Sequence, residues 1–184
     1  FDKPGTNYWA GERGRGHAYQ EVKRIVRTVS GPVFGRIEAQ IEWNTKDGQR
    51  EFSEDRTYTF YRGDNATRII DPKIVFKFTD GDVMFADTKE GGIIATRLAV
   101  TMDEQGVEID GKKMHGQMCN SNGEVGEAQC WGKAADWCDY VGPVNGKTVG
   151  VAIMDAKSNF RHPATWHIRG YGLFTANPFG LSDF

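Results

Sequence analysis

Within the segment at residues 33–43, a strict alternation of polar and apolar side chains at residues 36–43 restricts the fold of this chain more than any other feature. Apolar side chains occupy every second position and polar ones fill the positions between: Ile37, Ala39, Ile41 and Trp43 against Arg36, Glu38, Gln40 and Glu42. A repeat of two is typical of a β-strand in a sheet with one wet face. The segment therefore predicts an antiparallel sheet.

A hairpin turn and a return strand follow this segment. Asp47-Gly48 is typical of such a turn because both residues tolerate positive φ. The next stretch places Phe52, Tyr58 and Phe60 on one face. Further strand-sized stretches occur between glycine-containing turns, at residues 74–78, 83–86, 93–102, 134–141, 148–154 and 165–168, and residues 107–112 resemble a small hairpin. Together they predict an all-β antiparallel chain. A length of 184 residues suits one large domain or a sandwich of two sheets. We expect an antiparallel two-sheet β-sandwich forming a single domain over residues 1–184.

One segment has a pattern that favours a helix. Val22, Ile25, Val26 and Val29 have the spacing i, i+3, i+4, i+7, which is typical of an amphipathic helix. The segment is short, rich in β-branched residues, and ends at a Ser-Gly-Pro sequence. We interpret it as a strand, because β-branched residues fit a sheet better than a helix.

Composition argues against two classes of partner. The net charge is −2 and basic residues are scattered among acidic ones, so there is no electrostatic basis for binding nucleic acid. No apolar stretch approaches the roughly 18 residues that a membrane span needs. We therefore expect a soluble protein that binds neither nucleic acid nor a membrane, and the sequence indicates no oligomeric state.

Three cysteines, Cys119, Cys130 and Cys138, cannot all pair within one chain. Their spacings of 11 and 8 do not match the Cys-x-x-Cys pattern of zinc sites. One disulfide with a free thiol and three reduced thiols both fit the sequence. Three thiols are favoured, because nothing in the composition demands a cross-link. We expect neither a metal nor a cofactor.

The densest group of polar and aromatic residues lies at residues 158–172. His162 precedes Pro163, which biases its backbone toward an extended or turn conformation. His162 and His167 are five residues apart, so a straight strand would place them on opposite faces, and a shared metal site would need a bend. A hydrogen-bonded structural corner explains this segment as well as a functional site does.

His167 and Arg169 are two residues apart, so both side chains would point to one face of a strand. Imidazole can transfer protons near neutral pH, and guanidinium offers a planar fork to carboxylates or vicinal oxygens. We therefore interpret His167 as a catalytic acid or base and Arg169 as a substrate-binding residue. Arg161 and His162 would join the substrate-binding group from the preceding turn.

The loop at residues 87–92 carries a second set of candidates. Glu90 precedes two glycines, which indicates a sharp turn or a close backbone approach. A charged hairpin turn is the simpler explanation. If Glu90 instead faces His167, the two would act as base and acid, and Arg97 would orient substrate oxygens.

Aromatic residues recur near these candidates: Trp131, Trp137, Tyr140, Trp166, Tyr171 and Phe174. An aromatic wall beside carboxylate and imidazole groups suits the apolar face of a sugar ring. Core packing explains buried aromatics equally well. From this set we include Trp166 and Tyr171 among the substrate-binding candidates.

Four segments form longer motifs, at residues 87–92, 131–143, 149–155 and 158–180, the last beginning Ser-Asn-Phe-Arg-His-Pro. Over most of the chain they resemble the bacterial PmoA-like family of unknown function, often labelled methane oxygenase. That label is not carried over, because the membrane methane monooxygenase subunit spans the membrane several times and this chain has no span. The resemblance implies a strand around Val22.

The resemblance also implies a fold and a setting. The fold would be a galactose-mutarotase-like β-sandwich with a sugar-facing concave sheet, in a periplasmic or secreted bacterial protein. Family members usually carry a His-His-Arg-Gly segment upstream of the point that corresponds to Phe1. The chain would then be the C-terminal part of a longer protein, without the N-terminal strands of the sandwich.

Two functions follow as hypotheses, both with a small-molecule or oligosaccharide ligand. The first is a carbohydrate-active lyase, epimerase or hydrolase with Glu90 and His167 as acid and base. The second is a non-catalytic carbohydrate-binding or scaffold domain that uses the same residues as hydrogen-bonding groups. Metal-dependent oxidation is disfavoured because the histidines lack the spacing of metal ligands.

Overall fold

The computed structural model of the chain describes residues 6–8, 17–64, 66–88 and 91–182. Within these residues nearly all regular structure is β, and the paired strands run antiparallel. The prediction of an all-β antiparallel fold is therefore confirmed. The chain forms two compact units, residues 1–84 and residues 85–184. A single sandwich domain stays a prediction.

The first unit holds a four-stranded antiparallel sheet. Its strands are β1 Tyr19–Val29, β2 Phe34–Asn44, β3 Arg50–Tyr61 and β4 Ile69–Lys77, paired in that order. The alternating segment lies in β2, as predicted. The predicted hairpin turn joins β2 to β3, where Gly48 has a φ of 83° and donates its N–H to the Thr45 carbonyl at 3.0 Å.

Two β-bulges explain why Val22 and Ile25 lie three residues apart although the segment forms β1. Val22 pairs with Ile41 and Ile25 pairs with Ala39, so three residues of β1 match two of β2. The register shifts between Val22 and Arg24 and again between Ile25 and Arg27. Each bulge adds one residue to β1, so side chains on the same face recur every three residues. The interpretation as a strand is confirmed.

A buried ion pair lies on the apolar face of this sheet. Glu54 is fully buried and lies across from Ile41 in the pairing of β3 with β2. The indole Nε1 of Trp43 donates to its Oε2 at 2.8 Å. Arg56 donates from Nη2 to the same oxygen at 2.9 Å and from Nε to Oε1. The buried carboxylate is therefore both charge-paired and hydrogen-bonded, the condition under which a buried charge is tolerated.

Eight short strands and two helical segments make up the described part of the second unit. The strands are β5 Ile94–Arg97, β6 Val107–Ile109, β7 Lys112–Met114, β8 Gln117–Asn120, β9 Trp137–Val144, β10 Lys147–Met154, β11 Thr165–Ile168 and β12 Leu173–Asn177. The helical segments are the 3-10 turn Val100–Met102 and α1 Glu127–Cys130. The strands form three antiparallel sheets with the orders β10-β9-β8, β11-β12-β5 and β6-β7.

The structure corrects two strand predictions. Residues 83–86 form no regular structure, and Phe85 is held by its side chain, which stacks on Phe179 with ring centroids 5.1 Å apart. The strand predicted at residues 93–102 ends at Arg97, after which the chain turns and carries Met102 into the core. Both predictions were wrong because an apolar residue that is buried by ring packing or by a turn gives the same sequence pattern as an apolar residue in a strand.

The core of the second unit contains two of the three cysteines. It is formed by buried side chains from β8, β9, β11, β12, the two helical segments and the connection between α1 and β9: Met102, Met118, Cys130, Ala135, Cys138, Tyr140, Trp166, Ile168 and Phe174. All three cysteines are free thiols, the alternative that the sequence favoured. Burial raises the pKa of Cys130 to about 11 and raises the pKa of Cys138 as well.

The raised pKa of Cys130 makes stability depend on alkaline pH. The ordinary thiol pKa is 9.0, so the unfolded chain loses this proton before the folded chain does as pH rises. The free energy of unfolding should therefore be unaffected below pH 8 and fall between pH 9 and pH 11. We expect Cys130 to account for roughly 1 kcal/mol of the loss between pH 8 and pH 10.

Urea unfolding of the wild type and of Cys130→Ala at both pH values measures this effect. The Cys130→Ala variant should lose less stability between pH 8 and pH 10 than the wild type does. The same pH dependence in both proteins would contradict the assignment to Cys130.

Candidate functional site

The turn at residues 169–172, which joins β11 to β12, is held by neighbouring elements. The hydroxyl of Tyr140 in β9 donates to the Gly170 carbonyl at 3.3 Å. The N–H of Leu98, directly after β5, donates to the Gly172 carbonyl at 2.9 Å. Burial raises the pKa of Tyr140 to about 12, so this hydroxyl remains a donor at physiological pH. The turn is therefore a firm base for the side chains that it carries.

Two side chains from the region of α1 contact this turn and the strand before it. Glu127 accepts a hydrogen bond from Arg169 Nε at 2.7 Å and another from the Gly170 N–H at 2.6 Å. Trp131 donates its Nε1–H to Nδ1 of His167 at 3.0 Å. Glu127 and Trp131 are four residues apart along a helical turn, and His167 and Arg169 are two residues apart along an extended segment. At each of these spacings the two side chains point to the same side. The two contacts therefore form next to each other.

Four side chains form an alternating group of cations and rings, which we call the Arg–aromatic cluster: Trp131, Arg169, Tyr171 and Arg97. The Arg169 Cζ lies 5.8 Å from the ring centroid of Trp131 and 5.2 Å from that of Tyr171. The Arg97 Cζ lies 5.3 Å from the Tyr171 centroid. Both rings are 38% exposed. These distances are typical of cation–π contacts, so the cluster presents ordered rings and guanidinium donors to solvent.

His167 lies behind this cluster and does not open to solvent. Its side chain is 1% exposed. Because Nδ1 accepts the indole hydrogen of Trp131, the proton of the neutral imidazole is on Nε2. The imidazole therefore fixes the orientation of the Trp131 ring. The prediction that His167 acts as a catalytic acid or base stays a prediction.

Gly92 closely approaches β12, the strand that pairs with the strand of His167. A Cβ on Gly92 would stand 1.8 Å from Cγ2 of Thr175, the residue that pairs with His167 across the sheet. The close backbone approach expected at the two glycines is present at Gly92. Glu90 lies outside the described residues, so its pairing with His167 stays a prediction.

Trp166 lies in the core and not at a surface. Its side chain is 1% exposed and its Nε1 donates to the Ala135 carbonyl at 2.9 Å. In β11 it points to the face opposite His167, because successive strand residues alternate. The structure thus places Trp166 where it packs the domain, and we leave it out of the candidate site.

Arg161 and His162 belong to a hydrogen-bonded corner. Asp155 accepts hydrogen bonds from Nδ1 of His162 and from the Ala164 N–H, both at 2.8 Å. Arg161 donates from Nη2 to the Gly180 carbonyl at 2.8 Å. Both side chains bind groups of the chain itself, which favours the structural-corner alternative over a role in binding substrate.

The described residues contain neither a metal centre nor a membrane helix. No group of three or more His, Cys, Asp or Glu side chains in that part of the chain is placed to hold a metal ion. No helix there is long and apolar enough to cross a membrane.

The structure brings together Arg97, His167, Arg169 and Tyr171 of the residues predicted from sequence. It adds Glu127, which the sequence did not single out, and gives Trp131 a specific role. The sequence contains one signal for this pairing. Glu127 and Trp131 have the spacing that places two side chains on one side of a helix, and His167 and Arg169 have the spacing that does so on a strand. The first spacing is informative only if α1 is known, and a helix of four residues is too short to predict.

Comparison with known proteins gives a family but no annotated relative. No curated protein and no solved structure matches the chain. A family model described as a family of unknown function, DUF6807, matches residues 2–183. The chain therefore belongs to the DUF6807 family.

Proposed function

We propose that the second unit binds carbohydrate at the Arg–aromatic cluster. The observation that carries the proposal is the pair of exposed rings, Trp131 and Tyr171, with Arg169 over both and Arg97 over Tyr171. Aromatic faces provide apolar contact area at low conformational cost, and guanidinium N–H groups donate to hydroxyl oxygens. A sugar ring offers both an apolar face and many hydroxyl oxygens.

The arrangement behind the cluster supports binding more directly than catalysis. Glu127 holds Arg169, and His167 holds the Trp131 ring. Side chains ordered before a ligand arrives lose less entropy on binding. The first hypothesis, a lyase, epimerase or hydrolase, would require His167 to reach the ligand from behind Trp131. We therefore favour a non-catalytic binding role.

The setting of the protein forms part of the proposal. The resemblance of the C-terminal motif to the PmoA-like family supports a galactose-mutarotase-like sandwich with a sugar-facing sheet. It also supports a periplasmic or secreted location and an oligosaccharide as the partner. Fold analogy by itself does not fix a function, so the binding test rests on the cluster.

Replacing Trp131 by alanine should weaken carbohydrate binding by at least about tenfold, because a central aromatic residue in a binding site commonly contributes 2 kcal/mol or more. Trp131→Phe keeps a ring and should retain most of the affinity. The measurement is a screen of neutral and acidic oligosaccharides by isothermal titration calorimetry, followed by titration of both variants with any ligand that binds.

Trp137→Ala is the matched control, because Trp137 is similarly exposed, at 36%, but lies at the start of β9 outside the cluster. It should bind as the wild type does. If no oligosaccharide binds, or if Trp131→Ala binds as tightly as Trp137→Ala while both remain folded by circular dichroism, the proposed site is wrong.

A further inference from the structure

The two arginines of the cluster differ in their charge partners. Arg169 is paired with Glu127 at 2.7 Å, and both side chains are about 30% exposed. Arg97 has no carboxylate within 4.0 Å among the residues that the structure describes. It is exposed and is held by a bond from Nη1 to the Tyr171 carbonyl at 3.3 Å and by the ring of Tyr171. The charge of Arg169 is therefore matched by Glu127, whereas no carboxylate of the described residues matches that of Arg97.

The bond that Arg97 makes determines which of its donors face outward. Nη1 is used by the Tyr171 carbonyl, and no described group accepts from Nε or Nη2. Nε–H and Nη2–H lie side by side on one edge of the planar guanidinium. This edge matches the two oxygens of a carboxylate in a bidentate pair.

Two further acidic side chains near the turn, Glu104 and Asp103, are directed elsewhere among the described residues. Glu104 accepts from the first N–H of α1, that of Glu127, at 2.9 Å. Asp103 lies near Leu98, since both approach the position of a Cβ on Gly172. Leu98 packs against the core, and Arg97, as its neighbour in an extended segment, points the opposite way. The acidic groups therefore leave the outer edge of Arg97 open.

We propose that the ligand of this site is an acidic sugar, an oligosaccharide containing uronic acid residues whose carboxylate pairs with Arg97. This inference rests on the proposed carbohydrate binding. The sugar ring would contact Tyr171 and Trp131, and the outer N–H groups of Arg169 would donate to its hydroxyl oxygens. Arg97 then determines the preference for acidic over neutral sugars, while the rings supply binding to both.

The test compares each acidic oligosaccharide with its carboxyl-reduced counterpart, which keeps the linkage and the stereochemistry. The probes are oligomers of galacturonate, glucuronate, mannuronate and guluronate, titrated into the whole chain by calorimetry. One acidic oligomer should bind about tenfold tighter than its reduced form, because charge-assisted hydrogen bonds are roughly twice as strong as neutral ones. The difference should shrink between about 0.05 M and about 0.5 M salt, since an exposed ion pair is screened.

Arg97→Gln should remove the preference for the acidic oligomer without abolishing binding of the reduced form. Arg97→Lys keeps the charge but loses the planar edge, so it should retain only part of the preference. Arg24→Gln is the control for loss of a surface charge, because Arg24 lies in β1 of the first unit and bonds Gln40.

The outcomes separate the two proposals. Equal affinity for acidic and reduced oligomers would overturn the acidic-sugar inference and leave carbohydrate binding in place. An acid preference that survives in Arg97→Gln would also overturn it. No binding of any oligomer in either form would overturn both the inference and the proposed function.

Discussion

Trp166→Ala is expected to lower the free energy of unfolding of the second unit by about 3–5 kcal/mol, the usual cost of truncating a large buried aromatic residue. Trp166 is the largest side chain among those that are fully buried, and its ring lies 5.9 Å from that of Phe174 in the core. Alanine would leave a cavity that neighbouring side chains fill only in part. It would also leave the Ala135 carbonyl without its indole donor.

Urea unfolding followed by far-ultraviolet circular dichroism measures this loss. Trp137→Ala is the control, because Trp137 is 36% exposed and its removal opens no closed cavity. We expect it to cost about 1 kcal/mol or less, as surface substitutions commonly do. Equal losses in the two variants would contradict the placement of Trp166 in the core.

A milder substitution separates packing from ligand contact at the same position. Trp166→Phe keeps much of the ring volume, so more of this variant should remain folded. If Trp166 only packs the core, the folded Trp166→Phe protein should bind carbohydrate as the wild type does. Loss of binding without loss of stability would instead restore Trp166 to the substrate-binding group.

Glu54→Gln is expected to lower the free energy of unfolding of the first unit by about 3 kcal/mol, since removal of one partner leaves a desolvated charge unpaired. Glu54 is fully buried and accepts from both Arg56 and Trp43. Glutamine keeps one acceptor oxygen but places an amide N–H₂ opposite a donor. The guanidinium of Arg56, whose side chain is 20% exposed, would then lack its counter-charge.

Glu38→Gln is the matched control for this prediction. Glu38 lies in β2 with its side chain partly exposed, and Arg36 is 3.9 Å away. Such pairs contribute about 0.2–1 kcal/mol, so the control should change stability little. The measurement is urea unfolding together with hydrogen exchange of the β2 and β3 amides, which locates the loss in the first unit.

A double variant tests why Glu54 is costly to change. Glu54→Leu with Arg56→Leu removes both charges and should recover much of the stability lost in Glu54→Gln, because a buried ion pair contributes little beyond compensating its own desolvation. If Glu54→Gln matches Glu38→Gln within about 0.5 kcal/mol, the buried pair is not a determinant of stability.

Local periodicity determined much of the strand content. The alternation around Ile41 and the Asp47-Gly48 turn depend on neighbours within a few residues. The sequence alone therefore predicts β2 and the hairpin that joins it to β3. The short strands β8 and β12 and the helix α1 were not predicted. Their four or five residues carry too few periods to distinguish them from loops, and long-range pairing decides their conformation.

Position in three dimensions decided which candidate residues share a site. Trp131 and Trp166 belong to the same group of aromatic residues near the polar segments, yet one is 38% exposed and the other 1%. Residue type does not separate them, because the burial of a side chain depends on what packs against it. In the same way, Arg161 and Arg169 were equivalent candidates until their partners, the Gly180 carbonyl and Glu127, were located.

The amino-acid sequence by itself determined the all-β class and the β2–β3 hairpin, because these follow from spacing among near neighbours. Its β-branched residues also indicated the strand at β1, against their helical spacing. Only the tertiary structure decided that two bulges produce the helical spacing of Val22 and Ile25. It also decided that Arg97, more than seventy residues from Tyr171 along the chain, lies over its ring. Such contacts depend on how strands pair across the fold, which local sequence does not encode.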